Sequence, residues 1–215
     1  MSPNNFVFQL DQDGWCLQAD RVSSPNCDER PSGSAIDLLV IHNISLPPDQ
    51  FGGPWISALF TNTLDIQADP YFIQLQELCV SSHFLIRRDG QLLQFVSTLK
   101  RAWHAGVSQF DGRAQCNDFS IGIELEGSDT QAFCAAQYIT LGALTRVLAQ
   151  RHPLRAVTGH QHIAPGRKTD PGPYFDWSRY QSEVALGFAA NAPKKGAEKV
   201  LQFVLTAQKN TLICK

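Results

Sequence analysis

At 215 residues the chain suits one domain of ordinary size, or one domain with a tail. Its 43% hydrophobic content is enough for a core without disulfides or a structural metal. A formal net charge of -2, with no long basic run ahead of the C-terminal tail, argues against nucleic acid and anionic membranes as partners. No stretch approaches the roughly 18 apolar residues of a membrane-spanning helix. The start, MSPNNFVFQLDQDG, lacks the basic and apolar regions of a secretory signal. The six cysteines, Cys16, Cys27, Cys79, Cys116, Cys134 and Cys214, show no CxxC spacing. They read as free thiols, and the expected location is cytoplasmic.

Residues 1–35 are polar and broken by Ser-Pro, Asn and Gly, which suits a surface arm packed on the domain. Residues 36–41, Ile-Asp-Leu-Leu-Val-Ile, form a branched apolar run that predicts a buried strand. It ends at His42-Asn43, where a central strand would meet solvent. Residues 46–71 carry Pro-Pro, Gly-Gly-Pro and Asp-Pro, predicting a long irregular excursion with at most a short helix near 55–61. Such a loop is expected to form a wall over a site. Residues 80–87 and 92–96 flank Arg88-Asp89-Gly90-Gln91, a hairpin turn of the Asp-Gly type.

Residues 119–126, FSIGIELE, predict a strand with Ile121, Ile123 and Leu125 on one face. Ser120, Gly122, Glu124 and Glu126 lie on the other. Tyr138, Leu141, Leu144, Val147 and Leu148 recur at helical spacing, predicting an amphipathic helix over about 131–151. A short strand is expected at 156–159 and a helix at 176–189. Together these define an α/β (α+β) domain over 36–190, a central mixed β-sheet flanked by helices. The tail, 191–215, opens with Pro-Lys-Lys-Gly and includes a weakly amphipathic stretch at 200–206, with no evident role.

The chemistry concentrates in Gly159-His160-Gln161-His162-Ile163-Ala164-Pro165-Gly166-Arg167-Lys168-Thr169-Asp170-Pro171-Gly172. Pro165-Gly166 reverses the chain and brings Asp170 back toward His160, while Lys168 and Asp170 share a side in extended backbone. Two imidazoles and a carboxylate match a catalytic zinc site with an open position for water. A polar surface loop is the bland alternative.

The strings VIHNISLPP, FGGPWI, SHFLIRRDGQ, RAWHAGVS, GRAQCNDFSIGIELEG and GRKTDPGP, the last following Gly159-His160, make the chain resemble the zinc-dependent N-acetylmuramoyl-L-alanine amidases. The likeness extends to the branch acting on 1,6-anhydro-muropeptides in cell-wall recycling, and it runs from about Gly14 to Tyr180. It implies the fold of the amidase and peptidoglycan-recognition family, and one Zn2+ held by His42, His160 and Asp170. Glu124 takes the place of the catalytic glutamate and Lys168 that of the transition-state lysine. The implied substrate is a small muropeptide, cut between (anhydro-)N-acetylmuramic acid and L-alanine.

Rivals remain inside the site: Glu126 shares a face with Glu124, and His162 neighbours His160. His83 reads as a structural residue, and His152 as a favourable charge at a helix end. Trp103 offers a flat face for the sugar, and His104 is expected to line the pocket. Asn43 is placed to bind the peptide, and Arg167 to meet a peptide carboxylate. Cys79 and Gln115 stand where arginines that suit the distal carboxylates of the stem peptide are expected. A muropeptide-binding module without hydrolysis, and a cysteine hydrolase using Cys116 with His104, are the competing functions. The sequence carries no signal for oligomeric state, and a monomer is the expectation.

Overall fold

The strand that carries His42 sits at the heart of the sheet, as its unbroken apolar run requires, and it continues two residues past the imidazole to Ile44. The computed structural model describes residues 7–190 and 201–207. Its strands, in chain order, are β1 (Asp20–Arg21), β2 (Cys27–Asp28), β3 (Leu38–Ile44), β4 (Phe84–Ile86), β5 (Leu92–Gln94) and β6 (Arg101–Ala102). Then follow β7 (Gln109–Phe110), β8 (Arg113–Ala114), β9 (Ser120–Glu126), β10 (Ala156–Gly159) and β11 (Gln202–Phe203). The α-helices are α1 (Trp55–Phe60), α2 (Ala135–Arg151), α3 (His160–Ile163) and α4 (Trp177–Ala190).

Seven strands form the main sheet in the order β1-β5-β4-β9-β3-β10-β11, a mixed sheet with helices packed on it, as expected. All neighbours run parallel except β4 and β5, the hairpin that the Asp-Gly turn predicts. Gly90 takes a φ of 91° there, and Asp89 Oδ1 accepts the Gln91 backbone N–H at 2.9 Å. Two short ribbons, β2 with β6 and β7 with β8, lie outside the sheet.

Strand alternation divides the side chains into two layers. Leu39, Ile41, Ile121, Ile123 and Leu125 face α2 and α4, meeting Tyr138, Leu141, Leu144, Leu148, Tyr180 and Val184 in the larger core. Leu38 and Val40 face the other way, into a smaller cluster with Ala105, Cys116, Phe119 and Ile163. A third cluster, built on Leu46, Ile56, Phe60, Phe72 and Phe95, ties the irregular 46–71 excursion to the sheet. Its one α-helix, α1, falls where the sequence allowed one. Among the described residues no helix is long and apolar enough to cross a membrane.

Four expectations need correction. Residues 7–35 are woven into the domain: Phe8 and Cys16 are buried in the larger core, β1 is a strand of the main sheet, and Gln94 receives the Cys16 N–H. The strand expected over 80–87 narrows to β4, because the preceding backbone pairs with a loop, Ser81 N–H donating to the Trp103 carbonyl. The helix over 131–151 begins only at Ala135, after an extended Cys134 whose N–H is taken by Gln137 Oε1. Within the tail, Gln202–Phe203 adds a parallel edge strand to β10; 191–200 and 208–215 lie outside the described residues.

His152 also departs from expectation. It follows α2, where Pro153 denies it helical backbone, but its side chain is buried against Thr98 Oγ1 at 3.0 Å. Burial, with Arg151 and Arg30 nearby, pushes its pKa down to about 4, so it is neutral and no dipole charge. Unfolded, the same ring takes up a proton near pH 6.5. Between those values the unfolded chain binds more protons, so stability present above about pH 6.5 is lost as pH falls toward 4. In chelator-treated protein, His152→Gln should therefore flatten the slope of unfolding free energy against pH by up to ~1.4 kcal/mol per pH unit in that window. Urea titrations at a series of pH values measure it, and an unchanged slope would assign the proton uptake elsewhere.

Candidate metal centre and active site

Three parallel strands deliver the site at their C-terminal ends, the usual place for a ligand in an open parallel sheet. Register does the positioning. His42 in β3 stands opposite Glu124 in β9, and Gly159 at the end of β10 stands opposite Ile41. The next residue, His160, opens α3 beside His42.

Asp170 completes the cluster by way of the loop, whose return is fixed by the Gln161 N–H donating to the Asp170 carbonyl at 2.8 Å. His42 Nδ1, His160 Nδ1 and Asp170 Oδ2 form a triangle with sides of 3.0, 2.9 and 3.1 Å. It is the one grouping of this kind among the described residues.

The donor set suits a divalent cation. His160 Nε2 lies 3.0 Å from the Ala105 carbonyl, which only accepts, so the ring's proton is there. His160 Nδ1 is then a bare lone pair aimed at the Asp170 carboxylate and the His42 ring. Burial and the neighbouring His160 push the His42 pKa down to about 4, leaving it neutral. Electron-rich atoms crowded this way repel one another unless a cation sits among them. Tetrahedral zinc with bonds of about 2.0–2.1 Å holds its ligand atoms roughly 3.3 Å apart, close to the spacing found. Two imidazoles and one carboxylate leave a fourth position open.

The rivals separate on their hydrogen bonds. His162 Nδ1 accepts the Gly159 N–H at 3.1 Å, and its ring lies against Trp177. His83 accepts the Gly122 N–H at 3.0 Å and meets the Lys100 carbonyl at 3.0 Å, a structural role as expected. Glu126 is fully engaged: Arg87 Nη1 at 2.8 Å, Gly52 N–H at 2.7 Å and Arg88 N–H at 3.3 Å all donate to it. Glu124 is buried too, but its Oε2 has no partner among the described residues. Burial and the nearby Asp170 raise its pKa well above the ordinary value, and Lys168 pulls the other way. Cys116 is wholly buried and its thiol is pushed up to about 11 by burial, which removes the cysteine-hydrolase reading.

Above the triangle opens a cleft of about 440 Å³, lined by Asn43, Arg167, Lys168 and Asp170, together with Asp49 and Asp129. Lys168 is exposed there and makes no ion pair within 4 Å among the described residues. Asn43 donates to Asp129 Oδ1 at 2.8 Å and to the Pro171 carbonyl at 3.0 Å, bracing one wall. Arg167 spends one guanidinium nitrogen on the Ala105 and Val107 carbonyls, at 2.9 and 2.5 Å.

Two expected lining residues stand elsewhere. Trp103 is not among the residues that line this cleft. His104 is buried behind His42, its Nδ1 2.9 Å from His42 Nε2, because the loop carrying it folds under the strand ends rather than over them. Asp129 and Asp49 were missed. They sit on irregular loops, and only the turn-rich Gly127-Ser128-Asp129-Thr130 hinted at a loop near the end of β9.

Comparison with known proteins gives the chain a family. Residues 32–173 match the N-acetylmuramoyl-L-alanine amidase family, and the chain belongs to it. That membership makes it a hydrolase of carbon–nitrogen amide bonds. Over 176 residues it is 59% identical to the 1,6-anhydro-N-acetylmuramyl-L-alanine amidase AmpD of Escherichia coli (strain K12), spanning 81% of this chain and 96% of that protein. A crystal structure of a selenomethionine derivative of AmpD aligns with a TM-score of 0.79 at 57% identity, covering 82% of this chain and 99% of that one. The E. coli amidase AmiD, in complex with anhydro-N-acetylmuramic acid-L-Ala-D-γ-Glu-L-Lys, aligns with a TM-score of 0.52 at 26% identity, covering 86% and 72%.

The different fates of the two β9 glutamates are measurable. Glu126→Ala should lower unfolding free energy by about 3 kcal/mol, because it strands the buried Arg87 charge. Glu124→Gln should leave stability within ~0.5 kcal/mol of the parent. Urea unfolding of chelator-treated protein checks both; equal losses would show that Glu124 is structural as well.

Proposed function

We propose that the protein hydrolyses the amide bond between 1,6-anhydro-N-acetylmuramic acid and L-alanine in soluble muropeptides, as a one-zinc enzyme of cell-wall recycling. The observation that carries the reading is the convergence of His42 Nδ1, His160 Nδ1 and Asp170 Oδ2 beneath a cleft that also presents Lys168. High identity to the AmpD amidases over nearly their whole length supports the substrate. The substrate-bound AmiD structure supports a muropeptide ligand for this fold.

His42, His160 and Asp170 would hold zinc, which when bound would supply a Lewis acid to polarise the scissile carbonyl and acidify a water, and a positive charge that favours the ionised Glu124. Glu124, opposite His42 in the sheet, takes a proton from the attacking water on its unpartnered Oε2 and passes it to the leaving alanine nitrogen. Its burial helps the second step, since a desolvated carboxyl holds the proton until the nitrogen needs it. Lys168 places a compact positive charge beside the developing oxyanion. Asn43 and Arg167 line the wall available to the stem peptide, and His104 acts from behind His42.

The expected cytoplasmic location fits a substrate already released from the wall. A wall-remodelling amidase is the alternative, and substrate choice tells them apart. Incubation with purified anhydromuropeptides and with intact sacculi, followed by mass spectrometry, should show free peptide from the first. Release only from sacculi would overturn the recycling assignment.

Three variants test the roles. Glu124→Ala should retain one zinc per chain and lose 10²–10⁴-fold in kcat, on the order expected for a general base. Lys168→Ala should keep its metal and lose roughly 10²-fold. Asp170→Ala should lose both metal and activity; full zinc occupancy in it, by elemental analysis, would strike Asp170 from the ligands.

A further inference from the structure

Behind the metal triangle lies a chain of hydrogen bonds whose direction the structure determines. At its far end is the Cys116 carbonyl, which can only accept, so Ser120 Oγ, 2.6 Å away, donates its single proton to it. Ser120 Oγ must then accept from His104 Nε2 at 3.1 Å, which puts the His104 proton on Nε2. His104 Nδ1 is left as a lone pair, 2.9 Å from His42 Nε2. A proton on both facing nitrogens would clash, and none on either would leave two lone pairs opposed. His42 therefore carries its proton on Nε2, and its Nδ1 lone pair points into the triangle with His160 and Asp170.

The neighbouring residue does the same for the second imidazole. The Ala105 carbonyl accepts from His160 Nε2 at 3.0 Å and so turns the His160 Nδ1 lone pair inward. Asn117 Oδ1 accepts the backbone N–H groups of both His104 and Ala105, at 3.2 and 2.8 Å, and holds the pair in place. The strand beneath is cut to fit. A Cβ on Gly122 would lie 2.5 Å from His104 Cγ, so glycine is what lets the imidazole rest on β9 between Ser120 and Glu124.

We propose that His104 and Ala105 form the positioning layer of the metal centre: the Cys116–Ser120–His104 relay and the Ala105 carbonyl lock both ligand imidazoles as Nε2–H tautomers, so both Nδ1 lone pairs face the metal before it binds. The inference rests on the proposed ligand set. His104 is thus a positioning residue acting through His42. Outer hydrogen bonds of this kind typically tune metal affinity by about 10–100-fold.

Matched variants separate this role from packing. Asn and Leu branch alike at Cγ, and Leu is the closer to His in volume, so packing alone favours Leu while only Asn places an acceptor near the original Nδ1. His104→Asn should keep zinc affinity within about threefold of the parent, and His104→Leu should lose 10–100-fold, by chelator competition. Equal losses in the two would reduce His104 to packing and overturn the proposal.

Long-range ¹H–¹⁵N NMR of the histidines in the metal-free parent protein gives an independent reading, informative even if the variants do not fold. His104 and His42 should both be Nε2–H tautomers; an Nδ1–H signal from either would overturn it. Correct tautomers in a protein that takes up no zinc would instead fail the ligand assignment and leave the relay standing.

Discussion

The pairing of β3 between β9 and β10 is the constraint on which the rest of the molecule depends. Seven residues of β3, Leu38 to Ile44, run in register against Ser120 to Glu126, and four more pairs join β3 to β10. Side chains alternate strictly along a strand, so a slip of one residue would send His42 into the helix-covered core. It would also bring Ile41 or Asn43 to the metal position. The alternation that buries Leu39 and Ile41 under α2 and α4 is the same one that presents His42 on the opposite face. Hydrophobic burial thereby fixes which face His42 and Glu124 occupy, and the contacts behind the strands refine their placement.

Placing ionisable groups at the centre of a sheet carries a desolvation cost, and the chain meets it in three ways. His42 is held neutral by burial, and both His42 and His160 are hydrogen-bonded on the side away from the triangle. Glu126 is ionic and saturated, joined to Arg87 and two backbone N–H groups that anchor the 46–71 excursion and the hairpin to β9. Glu124, two residues earlier on the same face, is left with an unpartnered oxygen and a raised pKa. Two like side chains on one face thus diverge in function. What separates them is which loop reaches each, and the unsatisfied oxygen is the one the proposed mechanism uses to receive a proton.

Much of this was legible in the sequence. The 36–41 run, the FSIGIELE alternation, the Asp-Gly hairpin and the helical spacing of Tyr138 to Leu148 are local signals, and each marks an element that forms. The His160-to-Asp170 loop was legible because proline, glycine and ligand-type residues crowd fourteen positions. The rest depends on contacts far apart in the chain. Nothing near Cys16 announces that its N–H meets Gln94, and nothing near His152 announces Thr98. His104 looked like a pocket residue because it follows Trp103 in a motif shared with the amidases; only the fold shows it reaching His42 from behind. Ser120 was correctly placed on the Glu124 face, but its partner on the 101–106 loop could not be inferred from the strand.

The same reasoning gives the tail segment a physical place. β10 delivers His160, and without a neighbour its outer edge would expose a row of unpaired backbone groups. Gln202–Phe203 pairs along that edge, the Val204 N–H donates to the Val157 carbonyl at 2.9 Å, and Thr158 Oγ1 donates to the Val204 carbonyl at 2.7 Å. Phe203 adds an edge-on contact with Tyr180 of α4, whose ring lies wholly inside the larger core. The strand that carries a ligand is therefore held on both sides, by β3 and by a segment about forty residues further along the chain. A site whose ligand atoms must converge within about 3 Å gains from that rigidity, because free play in β10 would move His160 relative to His42 before it disturbed anything else.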